Sequence, residues 1–283
     1  MAQPMDLSDS TVAPGTTITD IQVLSNNHTV RLTPYAQNPG GVNMGFVTDM
    51  QVDALGRTLL TSLDGRIHLI DTTGNIQSTP WITTDSADGF APTNSRNYDY
   101  GLTSIALHPD FHNMGSAGYG KFYTVEANNT EPAGGYDSDF DHPFTGYHEN
   151  GGLFTDGEHE SVLVEYTTTA PAASSLTRGT DTSRRVLATF HQGSHSHNIG
   201  DLVFGPDNLL YVTSGDGGNA TDYENNSNFT DNAYGKILRI DPLTLTNTSD
   251  RSVFSVDGEA RFSVPTDNPH YDGGTIGAED MVF

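Results

Sequence analysis

The sequence predicts an all-β fold, a β-propeller built of four-stranded blades. Short apolar runs rich in Val, Ile, Leu, Phe and Tyr recur along most of the 283 residues, separated by Gly, Asp, Asn and Pro, the pattern of short strands joined by tight turns. No stretch spaces its apolar residues as a long helix would, whereas alternating or continuous strand-like runs are common. One irregular unit then occurs three times: an apolar strand, a Pro/Asp/Gly turn, a second apolar strand and a loop. A small twisted sheet cannot bury both faces alone, and stacking such sheets around an axis does so. Four strands per irregular repeat is the plan of a propeller blade.

Residues 1–45 read as an N-terminal extension able to supply a blade-closing strand, and residues 46–283 as a partial propeller domain. The first unit runs through 46–56, 57–65 and 66–71, with 76–82 as its fourth strand. The second runs through 102–111 and 120–126 and is completed by 161–166 and 185–190. The third runs through 199–208 and 209–218, with 234–241 as its third strand. The strand count reaches three blades plus the first strand of a fourth. Two insertions, 128–160 and 215–233, are rich in Gly, Asp, Asn and His. Their composition predicts loops, and long loops on a rigid scaffold are where sites tend to lie.

Twelve Lys and Arg against 36 Asp and Glu give a formal net charge of −24. That balance argues against a nucleic-acid partner, which needs a cationic face, and against attraction to anionic lipid. No apolar run approaches the roughly 20 residues of a membrane-spanning helix. The absence of Cys excludes disulfides, thiolate zinc ligands and thiol catalysis. Residues 1–14 lack the basic-then-apolar plan of a signal peptide, so the chain is either cytosolic or has lost a leader.

Several constellations could carry chemistry. His191, His195 and His197 fall within seven residues and could ligate a metal, serve as a general base or simply sit in a polar loop. Asp137, Asp139 and Asp141 space carboxylates as the opening of a calcium loop does, but His142 and His148 stand where such a loop has its Gly and its Glu. These three are weak metal candidates, and a solvated acidic loop is the simpler reading. The run from Gly115 to Lys121 nearly spells a phosphate-binding loop. It ends on Phe122 in place of Ser or Thr and leads into a strand, so it is set aside. No Gly-x-Ser-x-Gly elbow occurs.

Five segments, taken in order, resemble one family. They are Gly101-Leu-Thr-Ser-Ile-Ala-Leu-His-Pro-Asp-Phe, His197-Asn-Ile-Gly-Asp-Leu-Val-Phe-Gly-Pro-Asp, Leu210-Tyr-Val-Thr-Ser-Gly-Asp-Gly-Gly, Tyr234-Gly-Lys-Ile-Leu-Arg-Ile-Asp-Pro and Ser263-Val-Pro-Thr-Asp-Asn-Pro. Together they resemble the soluble PQQ-dependent glucose/sorbosone (aldose sugar) dehydrogenases, which are six-bladed β-propellers. The resemblance implies oxidation of an aldose to its lactone, with hydride passed to the quinone and on to an external electron acceptor. It implies His197 as general base, with Asp99, Ser196 and Asp216 near the sugar or quinone, and PQQ and Ca2+ as cofactors. A neutral imidazole is a suitable base near neutral pH, and the redox step is the cofactor's own.

Ser196 stands where the family often has Asp, and Asp99 where Gln or Glu is common. The chain stops at Phe283, before the Gly-x-Arg-Asn-Pro motif whose Arg contacts the quinone, so a truncated product is expected. The localisation expected is periplasmic or extracellular. Two other readings stay open: a non-enzymatic recognition propeller of the kind found in hedgehog-interacting relatives, and a calcium-dependent lactonase-like propeller.

Overall fold

The computed structural model describes residues 21–22, 29–30, 42–84, 101–128, 138–140, 159–192, 197–217 and 225–283. Strands β1 (Ile21–Gln22) and β2 (Thr29–Val30) pair with each other. Strands β3 (Val47–Val52), β4 (Thr58–Ser62), β5 (Arg66–Ile70) and β6 (Ile82–Thr83) form a four-stranded antiparallel sheet in chain order. A second four-stranded sheet follows from β7 (Ser104–Leu107), β8 (Lys121–Asn128), β9 (His159–Thr168) and β10 (Thr182–Gln192). The third holds β11 (Ile199–Phe204), β12 (Leu210–Ser214) and β13 (Ile237–Ile240). A hairpin of β14 (Arg251–Val256) and β15 (Glu259–Pro265) touches its outer edge, where Ser263 bridges Asp241.

One expectation differs from what is observed. The fourth strand of the first sheet begins at Ile82, and Ile76 makes only a bridge to Ile70. The Asp71 carboxylate accepts from the backbone N–H groups of Thr73 and Asn75 and turns the chain there, and Pro80 has no N–H to offer a ladder. The strand count allowed the first strand of a fourth sheet without placing it, and the described chain ends in a single helical turn, α1 (Ala278–Met281). Buried Asp280 holds it by accepting from the N–H groups of Gly277 and Asp272 at 2.8 and 3.1 Å. Met281 and Val282 then join the core, and Val282 bridges Leu238.

The sheets stack in chain order. Leu59, Ile67 and Leu69 of the first pack with Ile105, Phe122, Val164 and Tyr166 of the second around Trp81. The opposite face of the second sheet, with Tyr123, Val125 and Leu163, packs on Leu202, Val212, Leu238 and Ile240 of the third. The middle sheet is therefore buried on both faces, which is why its strands read as nearly continuous apolar runs. One buried charge cluster lies within it. Glu165 accepts from Lys121 Nζ at 2.6 Å, from Arg185 at 3.0 and 3.2 Å and from the Tyr123 hydroxyl at 2.9 Å.

Edge strands β3, β7 and β11 lie side by side and are joined by a repeated pair of side-chain bonds. The Asp49 carboxylate accepts from Ile105 N–H at 3.0 Å, and the Ser104 hydroxyl oxygen accepts from Leu202 N–H at 3.0 Å. The Thr48 hydroxyl donates to Leu102 O, and the Thr103 hydroxyl to Gly200 O. Thr48-Asp49 and Thr103-Ser104 thus do the same work in successive sheets.

His68 lies across from Leu60 in the ladder between β5 and β4, on the face turned away from the shared core. It is buried, and neither ring nitrogen has a hydrogen-bond partner. Burial, and secondarily the Arg66 charge, hold its pKa below the ordinary 6.5. The unfolded chain therefore takes up a proton below that value that the folded chain refuses, and stability falls as pH drops through this range. His68→Leu is expected to remove that part of the acid sensitivity. Urea midpoints of the two proteins measured across the range would separate below pH 6.5, and parallel curves would sink the assignment.

Candidate functional site

The site forms where the chain enters β11 and leaves β12. His197, just before β11, has φ +60°, a left-handed conformation that costs a side-chain-bearing residue about 1–2 kcal/mol. Two backbone bonds hold it there: Gly217 N–H donates to His197 O at 3.0 Å, and Gly215 N–H donates to Asn198 O at 2.9 Å. A Cβ on residue 215 would lie 2.2 Å from His197 O, so glycine is required for the close approach.

This backbone geometry brings His197 Nδ1 to 2.8 Å from Asp216 Oδ1. The Nδ1–H donates to the carboxylate, which places the ring's lone pair on Nε2. The imidazole side chain is 37% exposed and the carboxylate 13%. The imidazole is therefore partly accessible while its partner is enclosed. The carboxylate fixes the ring's tautomer and compensates the charge that forms when Nε2 takes a proton, the division of labour seen in other His–Asp pairs.

Asp216 is itself fixed from below. Asn226, fully buried at the start of a 3-10 turn (Asn226–Asn228), donates its side-chain amide to Asp216 O at 2.8 Å. The glycine at 235, with φ +67°, lets the turn pack close: a Cβ there would meet Ser227 Oγ at 2.4 Å. Sequence reasoning missed Asn226, because its partner is a backbone carbonyl and no spacing announces such a bond. Gln192 ends β10 five residues before His197, is fully buried, and has no hydrogen-bond partner at either amide atom.

Of the residues singled out in the sequence, His197 and Asp216 are brought together. Asp99, Ser196, His195, Asp137 and Asp141 lie outside the described residues. Asp139 is described, and its carboxylate accepts from Thr189 N–H at 2.9 Å while Thr189 Oγ1 accepts from Asp139 N–H. That reciprocal pair ties residues 138–140 to the outer strand of the second sheet. No group of three or more His, Asp or Glu disposed to hold a metal occurs among the described residues. The described cations are largely committed. Arg57, Arg66, Arg184, Arg239, Arg251 and Arg261 each lie within ion-pair distance of a carboxylate, as do Lys121 and Arg185 at Glu165.

Stacked antiparallel sheets bearing a partly exposed His–Asp pair on a glycine-cradled turn define an all-β scaffold with a candidate site. The chain belongs to the glucose/sorbosone dehydrogenase family, whose model matches residues 46–260. It is 26% identical over 241 residues to the HIPL2 protein of Arabidopsis thaliana, covering 82% of this chain and 32% of that protein. It is 32% identical over 114 residues to the HIPL1 protein of the same plant, covering 40% and 16%. The chain thus spans about a third or less of the length of these relatives. Among solved structures it is similar to the PQQ-bound form of aldose sugar dehydrogenase from Streptomyces coelicolor, at 18% identity and a TM-score of 0.47 over 83% of this chain and 54% of that one. It is also similar to a glucose dehydrogenase, at 17% identity and a TM-score of 0.48, over 85% and 55%.

Proposed function

We propose that the chain is a sector of a β-propeller sugar dehydrogenase, and that His197 is the base that takes the hydroxyl proton of an aldose as it is oxidised to the lactone. The observation that carries this reading is the His197–Asp216 pair, 2.8 Å apart on a strained turn with the imidazole partly exposed, in a chain of the glucose/sorbosone dehydrogenase family.

Each residue has a defined task. Asp216 keeps the proton on Nδ1 before the reaction and balances the imidazolium after Nε2 has accepted one. Gly215 and Gly217 hold His197 in its left-handed conformation. Asp99 and Ser196 are proposed to line the same site. PQQ, when bound with Ca2+, supplies the hydride acceptor, and an external carrier removes the electrons. The described residues fit the reacting edge of such a quinone, where a base is needed. They do not by themselves fit its three carboxylates, since most described cations are already paired within the chain.

The test is a titration of PQQ in the presence of calcium, followed by absorbance and by aldose-dependent dye reduction. It is made on this chain and on a longer form of the protein that spans the length of its relatives. Binding and reduction in the longer form support the reading. Absence of PQQ binding in both removes it and favours a non-enzymatic recognition propeller. Lactonase activity that needs calcium and no quinone would replace it with a hydrolase.

A further inference from the structure

Lys236 lies between Gly235 and the start of β13. Its ammonium lies 2.7 Å from Tyr234 O, 3.0 Å from Asn226 O and 3.3 Å from Ser227 O. Three carbonyl oxygens thus converge on the ammonium, whose N–H groups are donors only. Two of the three carbonyls belong to the 3-10 turn that supports the site. Asn225, which leads into the turn, has φ +60°, so the turn is entered through a conformation that a side chain disfavours. Gly235 packs against Ser227 and donates its N–H to Gly215 O at 2.7 Å. The turn is therefore clasped on one side by Lys236 and Gly235. On the other it presents the Asn226 amide to Asp216 O at 2.8 Å.

We infer that Lys236 is a positioning residue for the His197 base. Its ammonium fixes the carbonyls of Asn226 and Ser227, the Asn226 side chain then fixes the backbone of Asp216, and the Asp216 carboxylate stays in line with His197 Nδ1–H. A small, strongly localised ammonium on a flexible stem suits a cluster of converging carbonyls better than a planar guanidinium does. The inference rests on His197 being the base of the proposed reaction, but the connection from Lys236 to the imidazole is a property of the chain alone.

The test uses the full chain, 15N-labelled at histidine, with the His197 signals assigned by their loss in His197→Gln. The wild-type protein is expected to show the Nδ1–H tautomer and a solvent-protected imidazole N–H resonance. Lys236→Met is expected to retain the amide spectrum of the second sheet while losing that protected resonance and mixing the two tautomers. A folded Lys236→Met protein with an unchanged His197 signature would overturn the inference. Should that variant not fold, Asn226→Ala decides: loss of the resonance supports the connection, and its persistence overturns it. Neither sugar nor quinone enters the measurement, so failure of PQQ to bind would leave this result standing, and an unchanged imidazole would leave the dehydrogenase reading standing.

Discussion

His197→Gln is expected to reduce the turnover of aldose-dependent dye reduction by about 10²–10⁴-fold, the usual worth of a positioned general base, in the form of the protein that binds the quinone. Glutamine is close to histidine in reach, and its amide can still donate to Asp216, so the turn and the fold are expected to survive. What is lost is the lone pair at Nε2. The loss should fall on kcat, with KM nearly unchanged, because the proton is taken only as the sugar reacts. Asp216→Asn should give a smaller loss in the same parameter, since the ring keeps its basic nitrogen but not the charge that steadies the imidazolium. Steady-state kinetics over a range of sugar concentrations separates the two constants, and unchanged turnover in His197→Gln would remove the assigned role.

Glu165→Gln is expected to destabilise the fold by about 3 kcal/mol, the lower end for removing one partner of a buried ion pair. The lower end applies because the Lys121 and Arg185 side chains remain 20% and 22% exposed, against 4% for Glu165. Burial alone would raise the pKa of Glu165. Hydrogen bonds from Arg185 and Lys121 outweigh it and hold the carboxyl below the ordinary 4.5. Its contribution is therefore present above pH 4.5 and is lost as pH falls through the lowered value of the folded state. Urea unfolding near neutral pH should show the full difference between variant and wild type, and acid should narrow it. A variant as stable as wild type at neutral pH would mean that the two cations find other partners at no cost.

The strands of the second sheet were the most legible part of the fold, for a physical reason. Both faces of β8 and β9 are buried, so Phe122-Tyr123-Thr124-Val125 and Val162-Leu163-Val164 carry their signal at every position. The β14–β15 hairpin was missed, although Asp257-Gly258 joins it with both residues at positive φ, 52° and 78°. An Asp-Gly pair between two strand-like runs is a strong hairpin signal, and it was available in the sequence. The helical turn at Ala278–Met281 was missed although what closes it is local, Asp280 reaching back three residues to Gly277 and eight to Asp272; a single turn is too short to show helical periodicity.

At the site, residue types were readable and their pairing was not. His197 and Asp216 stand out within their motifs, but nothing in the sequence says that residue 197 adopts φ +60° and so turns its ring onto a carboxylate 19 residues later. Of the acidic run Asp137, Asp139 and Asp141, read as weak metal candidates beside the simpler solvated loop, only Asp139 lies among the described residues, where its carboxylate accepts from Thr189 N–H. The Thr-Asp and Thr-Ser pairs of β3 and β7 would have emerged from aligning the repeated units with one another rather than reading each for apolar pattern alone.

Those pairs give the stack a direction. Each joint is made by the side chains of one sheet acting on the backbone of the next, Asp49 on Ile105 and Ser104 on Leu202, and never the reverse among these bonds. The series therefore has a reading sense, like a sentence whose words agree only with the word that follows. Duplicating or transposing a unit conserves its joints only if the incoming edge strand presents the matching backbone register. A single change at Ser104 is felt in two sheets at once, because that hydroxyl both approaches Asp49 and receives Leu202. The innermost strands therefore constrain one another in sequence order.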